Sequence, residues 1–194
     1  MHIGLFFGSF NPVHVGHTII ANFMASFTDL EQVWFVVSPH NPLKEKASLL
    51  NQNQRLHMVN LAIEDNPLLK SSNIEFSLTQ PSYTVNTLAH LHEKYPQHQF
   101  SLIMGEDNLQ SFTKWKNYEE ILKNHFIYVY PRPNCDSEKF KTHSHIVFTN
   151  APLMDISSTF IRQAIKDKKN ISNFLPQKVW QYCDEMSFYK KFLG

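Results

Sequence analysis

Apolar and polar positions along this chain switch repeatedly between two periods, and the switching predicts strands and helices in turn. Residues 3–7 form an almost unbroken apolar run that ends at Gly8, the pattern of a strand buried on both faces of a parallel sheet. Val15–Phe27 has helical spacing, with Ile19, Ile20, Phe23, Met24 and Phe27 available for an inward face. Residues 33–37 are a second buried strand, and 38–51 a polar loop holding Pro39, Pro42 and two lysines. Residues 52–64 are helical, with Leu56, Val59, Asn60 and Ile63 at three-to-four spacing. Further on, 73–78 reads as a strand, 84–95 as a helix stopped by Pro96, and 99–104 as a strand ending at Gly105. A helix at 119–123, strands at 126–130 and 146–149, and helices near 159–168 and 176–186 complete the pattern.

Strands alternating with helices through right-handed crossovers imply an α/β fold with a doubly wound parallel sheet. Residues 1–194 are expected to form one domain, with a small C-terminal helical part from about residue 157. In such sheets ligands bind beyond the carboxyl ends of the strands, where the strand order reverses. Candidate chemistry should therefore lie just after strands.

Composition narrows the function classes. An apolar share of 42%, with 16 Phe, excludes a disordered chain. A formal net charge of +1 argues against a nucleic-acid partner, which would call for a basic face. The two cysteines, Cys135 and Cys183, sit in no CxxC spacing, so neither a disulfide framework nor a Cys-rich zinc site is supported. The start, MHIGLFFGSF, lacks a basic leader and reads as a first strand instead of a signal peptide. No apolar run approaches the roughly 20 residues that span a bilayer, so the expectation is a cytoplasmic protein without a membrane partner. Eleven histidines make the charge sensitive to mild acid. His90 and His92 are two apart on a helix and face different ways, while His143 and His145 share a strand face without a third ligand. No protein metal site is expected.

The richest segment is Gly8-Ser9-Phe10-Asn11-Pro12-Val13-His14-Val15-Gly16-His17, between the first strand and the first helix. Such a junction turns free backbone N–H groups and a positive helix end toward an anion. Gly8 lets backbone approach a ligand closely, and Gly16 leaves room for a phosphate near the helix start. His14 and His17, at i and i+3, can offer two imidazole donors on one side. Alone, this HxxH reads as a capping turn with incidental histidines. The loop is neither GxGxxG nor GxxxxGK[ST], which disfavours an ordinary dinucleotide site and a Walker-type ATPase. Near the far end, Ser157 or Ser158 can cap a helix, and Arg162 follows one turn later with a fork suited to phosphate.

The stretch GSFNPVHVGH closely resembles the signature of the HxGH nucleotidyltransferase superfamily, and Ile156-Ser157-Ser158-Thr159-Phe160-Ile161-Arg162 resembles its second signature, ISSTxIR. Four further stretches narrow the resemblance to bacterial nicotinate mononucleotide adenylyltransferases. These are Ser82-Tyr83-Thr84-Val85-Asn86-Thr87-Leu88; Gly105-Glu106-Asp107-Asn108-Leu109 with Phe112 and Trp115; and Pro39-His40 with Arg132-Pro133. The resemblance spans essentially the whole chain and implies a Rossmann-like nucleotidyltransferase fold.

By that resemblance, ATP and nicotinate mononucleotide are the substrates and deamido-NAD and pyrophosphate the products. Nicotinamide mononucleotide, or both mononucleotides, stays open as the alternative acceptor, as does a homo-oligomer. His14, His17, Ser158 and Arg162 would be catalytic, His14 at the α-phosphate and the others at the β- and γ-phosphates. Gly8, Ser9, Phe10, Asn11, Gly105, Asp107, Ile156, Ser157 and Thr159 would complete the ATP site, Asp107 on the ribose hydroxyls. His40, Lys44, Tyr83, Thr84, Trp115 and Lys116 would bind the mononucleotide. Trp115 would stack on the pyridine ring, and N–H groups at Thr84 and after Trp115 would hold the carboxylate. Mg²⁺ would travel with ATP on mostly water ligands. Many members carry Asp where this chain has Asn11, which weakens a metal contact there. Transfer to phosphopantetheine or from CTP is a weaker rival, because those relatives lack the SYTxxTL and Trp115 features. A class I aminoacyl-tRNA synthetase would need a KMSKS-like loop that is absent.

Overall fold

The structure is a computed structural model that describes residues 1–39 and 49–190. Strands β1 (His2–Gly8), β2 (Gln32–Val37), β3 (Leu69–Ser72), β4 (Gln99–Gly105), β5 (Ile127–Tyr130) and β6 (Ile146–Phe148) form one sheet. Their order is β3-β2-β1-β4-β5-β6, and every neighbouring pair is parallel. The direction of winding reverses between β1 and β4, where Leu5 pairs with Leu102 and Phe6 with Ile103. A crevice for a ligand opens there, beyond Gly8 and Gly105.

The apolar runs become strands because both faces of the sheet are covered. Along β2, Val33, Phe35 and Val37 enter one core while Trp34 and Val36 enter the other. The first core is closed by α1 (Val15–Phe27), α2 (Gln52–Ile63), α6 (Ser158–Lys166) and α7 (Gln177–Glu185), through residues such as Met24, Met58, Ile161 and Val179. The second is closed by α3 (Thr84–Lys94), α4 (Glu106–Gln110) and α5 (Tyr118–Asn124), through Leu88, Leu91, Leu109 and Ile121. The expected doubly wound sheet is therefore observed.

Three local expectations fail. Residues 73–78 were expected as a strand, but Ile74–Ser77 is a 3-10 turn and the strand is the polar Leu69–Ser72. The alternation of Ile74, Phe76 and Leu78 mimics a strand. Among the described residues the true β3 is an edge strand paired only with β2, and of its side chains only Leu69 is buried. On α1, the inward stripe is Gly16, Ile20, Ala21 and Met24; Phe27 is 73% exposed and stacks on Phe23, and Ile19 is 39% exposed. On α2, Asn60 faces outward and Arg55, Met58, Val59 and Ile63 are buried.

Candidate active site

The loop between β1 and α1 is shaped from beneath. Phe10 takes a left-handed φ of 46° and puts its ring, 3% exposed, among Phe6, Phe35 and His17. A Cβ on Gly8 would come within 2.8 Å of that ring, so Gly8 makes room for Phe10 instead of for a ligand. Three loop carbonyls are turned into the protein. Ser9 O accepts from Arg55 Nη1 at 2.6 Å, Asn11 O from Arg162 Nη1 at 2.9 Å, and Pro12 O from Ser158 Oγ at 2.9 Å. Across a trans peptide the carbonyl and the next N–H point oppositely. The N–H groups of Phe10 and Val13 therefore point away from Arg55 and from Ser158, respectively, and donate to no described atom. Outward N–H groups beside a helix start make a concavity suited to phosphate.

Ser158 and Arg162 thus join the two distant motifs directly. Ser157 is the N-cap of α6, its hydroxyl accepting from the Phe160 N–H at 3.1 Å, and Thr159 Oγ1 receives the second arm of Arg162 at 3.2 Å. Ile156 packs on the first core. Burial lowers the Arg162 guanidinium from its usual value; arginine nevertheless stays charged at neutral pH. The Asn11 side chain is buried, and its amide oxygen accepts from the Leu50 N–H at 3.3 Å and the Tyr189 hydroxyl at 2.7 Å.

The two imidazoles stack, with centroids 3.6 Å apart and planes at 25°. The His14 N–H donates to His17 Nδ1 at 3.2 Å, which leaves the proton of a neutral His17 ring on Nε2. His14 is 4% exposed, and burial, then the Arg132 charge, lowers its pKa to about 3. A Cβ on Gly16 would sit 3.1 Å from His14 Nδ1, so this glycine accommodates the histidine ring. His14 is therefore a neutral hydrogen-bonding group. An unfolded His14 titrates near 6.5 and the folded one near 3, so the unfolded state binds more protons between these values. Stability is full above the upper value and falls as the pH drops through the window. Between pH 7.5 and 5 this one group should cost about 2 kcal/mol. His14→Asn, which keeps a good helix cap, should flatten the fall of Tm with acid; an unchanged slope would refute the burial of a neutral imidazole. Burial lowers His125 in the same direction, so the comparison with wild type isolates His14.

At the end of β4, a Cβ on Gly105 would collide with the Asp107 carboxylate, so Gly105 lets Asp107 fold back over the strand end. Asp107 is half exposed and pairs with Arg132 Nε at 3.7 Å. Arg132 Nη1 also donates to Met154 O at 2.7 Å, and its guanidinium lies 5.5 Å from the Tyr130 ring centre. A second grouping forms around the start of α3. The Lys116 ammonium stands 4.5 Å over the Tyr83 ring, which brings the entrance of α3 beside the turn after Trp115. N–H groups of Thr84, Val85 and Lys116 donate to no described atom. Trp115 is half-buried, set edge-on against Phe112 at 5.4 Å. His40 and Lys44 lie outside the described residues.

Two residues near these groupings, Arg55 and Tyr189, belong to no motif in the sequence, and a third, Arg132, belongs to the Arg132-Pro133 stretch but without a role of its own. Arg132 had a signal, that stretch and a cation two residues past a strand. Arg55 had a fainter one, a charge on the stripe of Met58, Val59 and Ile63. Tyr189 had none, since its place beside Asn11 depends on how the C-terminal segment returns. Among the described residues no group of three or more His, Cys, Asp or Glu is arranged to hold a metal, and no helix is long and apolar enough to cross a membrane.

The cytidylyltransferase-like family model matches residues 5–164. The chain is 64% identical over 193 residues to a probable nicotinate-nucleotide adenylyltransferase of Flavobacterium psychrophilum, covering 98% of this chain and 100% of the relative. It is 50% identical to the protein so described from Cytophaga hutchinsonii, covering 99% and 100%. Among solved structures, it resembles the Plasmodium falciparum nicotinic acid mononucleotide adenylyltransferase complexed with NaAD, with a TM-score of 0.83 over 97% of each chain. At 17% identity that likeness speaks for the fold.

Proposed function

The chain belongs to the cytidylyltransferase-like family and, within it, to the nicotinate-nucleotide adenylyltransferases, and from this premise we propose how its residues carry the reaction. It transfers the adenylyl group of ATP to nicotinate mononucleotide, forming deamido-NAD and pyrophosphate in NAD biosynthesis. One observation carries the assignment of the site: the second motif hydrogen-bonds through Ser158 and Arg162 to the carbonyls of the first. Two turns that clasp each other in this way can serve one triphosphate.

In our reading the mononucleotide phosphate, already an anion, attacks the α-phosphorus in line and pyrophosphate departs on the far side, so no general base is required. His14 donates at the α-phosphate as a neutral ring. His17, through Nε2–H, with Ser158 and Arg162, holds the β- and γ-phosphates. The Phe10 and Val13 N–H groups add donors that need no reorganisation. Gly8, Ser9, Asn11, Ile156, Ser157 and Thr159 act mainly by shaping the two turns. Gly105 and Asp107 take the ribose, with Arg132 orienting the carboxylate. Mg²⁺ is assigned to the triphosphate and its water shell, where it would neutralise charge on the leaving pyrophosphate. The side-chain oxygen of Asn11 already serves Leu50 and Tyr189, which fits a metal held by phosphates instead of protein. We take residues 1–194 as one domain and the cytoplasm as its location.

Tyr83, Thr84, Trp115 and Lys116 are assigned to the mononucleotide, with the Thr84, Val85 and Lys116 N–H groups around its carboxylate. Amide donors suit a carboxylate, whereas a neutral carboxamide would set its own NH₂ against them. Pyrophosphate release should therefore be faster with ATP and nicotinate mononucleotide than with the amide, read as kcat/KM. Equal values would shift the assignment to a dual-substrate enzyme, and no release with either would remove it. In the same assay Trp115→Ala should raise the mononucleotide KM about tenfold or more, the scale of a lost stacking partner. A selective rise in the KM for ATP would contradict the stacking role.

A further inference from the structure

Among the described residues the largest fully buried side chain is a charged one, Arg55, at 0% exposure on the first turn of α2. Among the described residues no carboxylate pairs with it. Its fork is satisfied instead by four main-chain carbonyls drawn from three separate segments. Nη1 donates to Ser9 O at 2.6 Å and Ser38 O at 2.8 Å, Nη2 to Pro39 O at 2.7 Å, and Nε to Leu50 O at 2.9 Å. Ser9 begins the phosphate loop, Ser38 and Pro39 follow β2, and Leu50 precedes α2. A second link runs parallel to the first, since the Leu50 N–H donates to the Asn11 side chain.

Burying a guanidinium is costly unless its donors are satisfied. Each of these carbonyls would likewise lose a partner without it. An interior role in packing alone would be met by a methionine or leucine. What arginine adds is a planar fork of several donors in fixed directions, able to hold segments from different elements at one mutual position. The held segment that matters is the phosphate loop. With Ser9 O drawn to Arg55, the Phe10 N–H is turned the opposite way, free of any described acceptor and available to a ligand.

We infer that Arg55 is a positioning residue for catalysis: from beneath, it fixes the start of the phosphate loop against the end of β2 and the entrance of α2. It acts through the loop and does not touch substrate. The inference rests on the nucleotide-binding reading of that loop.

The test compares wild type with Arg55→Lys and Arg55→Met. Folding is followed by circular dichroism and thermal melting. Affinity for a non-hydrolysable ATP analogue is measured by calorimetry, and kcat by pyrophosphate release. Lysine keeps the charge but cannot reach carbonyls of three segments at once. Folded Arg55→Lys should lose about 30-fold in kcat and bind the analogue about tenfold more weakly, a displaced loop costing more in the transition state than in the ground state. Folded Arg55→Met should lose at least as much. Either folded variant with kcat and analogue affinity within about twofold of wild type would overturn the inference. So would a loss that matches only the unfolded fraction, or failure of both variants to fold at low temperature, since Arg55 would then be a folding determinant alone. Absence of turnover in wild type would count against the proposed reaction, while the binding comparison would still decide the role of Arg55.

Discussion

Arg162→Ala is expected to lower kcat by about 10²-fold, equivalent to about 2.7 kcal/mol of transition-state stabilisation. Arg162 sits one turn into α6, half-buried, with Nη1 on Asn11 O and Nη2 on Thr159 Oγ1. Those two bonds aim the guanidinium across the phosphate loop before any ligand arrives, so its charge costs little to organise when negative charge builds on the leaving pyrophosphate. Alanine removes the charge and the Asn11 tether together. Arg162→Lys separates them, because it keeps a cation without the fork. The lysine variant should recover part of the rate and leave the KM for the mononucleotide unchanged. Steady-state rates of folded Arg162→Ala close to wild type would take this residue out of the mechanism.

His17→Ala should cost a similar factor of about 10² in kcat. His17 carries two jobs that a second variant can divide. Its Nδ1 accepts the His14 N–H, the reciprocal part of a capping arrangement at the start of α1, and its ring stacks on His14. Its Nε2–H is the donor assigned to the phosphates. Glutamine at this third helical position can reach back to the N-cap N–H, so His17→Gln should keep the helix start and yet lack the imidazole donor. Both variants should be slow, with His17→Gln melting higher than His17→Ala by the equivalent of about 1 kcal/mol. Recovery of near-normal kcat in His17→Gln would mean that His17 serves the helix and not the triphosphate.

The parts of this molecule that were legible beforehand share a physical character. Residues 3–7 and 33–37 could be read as central strands because burial on both faces leaves no polar position in the run. The motif positions could be read because a strand-to-helix junction exposes N–H groups whatever the rest of the chain does. Edge strand β3 was hidden for the opposite reason. A strand with one neighbour needs little apolar surface, so LKSS carries almost no pattern and the turn that follows carried a misleading one. Phe27 was misplaced on α1 because periodicity names a stripe but not how far the covering core extends.

By itself, then, the order of residues determined the winding of the sheet, the two faces of its core and the two turns that bear the chemistry. These follow from local period and local backbone geometry. Only the tertiary structure decided what lies between those turns: Ser158 on Pro12, Arg162 on Asn11, the stacked and neutral His14, and Arg55 beneath Ser9. The three hydrogen bonds among these join positions far apart in the chain, and their acceptors are main-chain carbonyls. A carbonyl is the same at every residue, so no side-chain pattern can announce it.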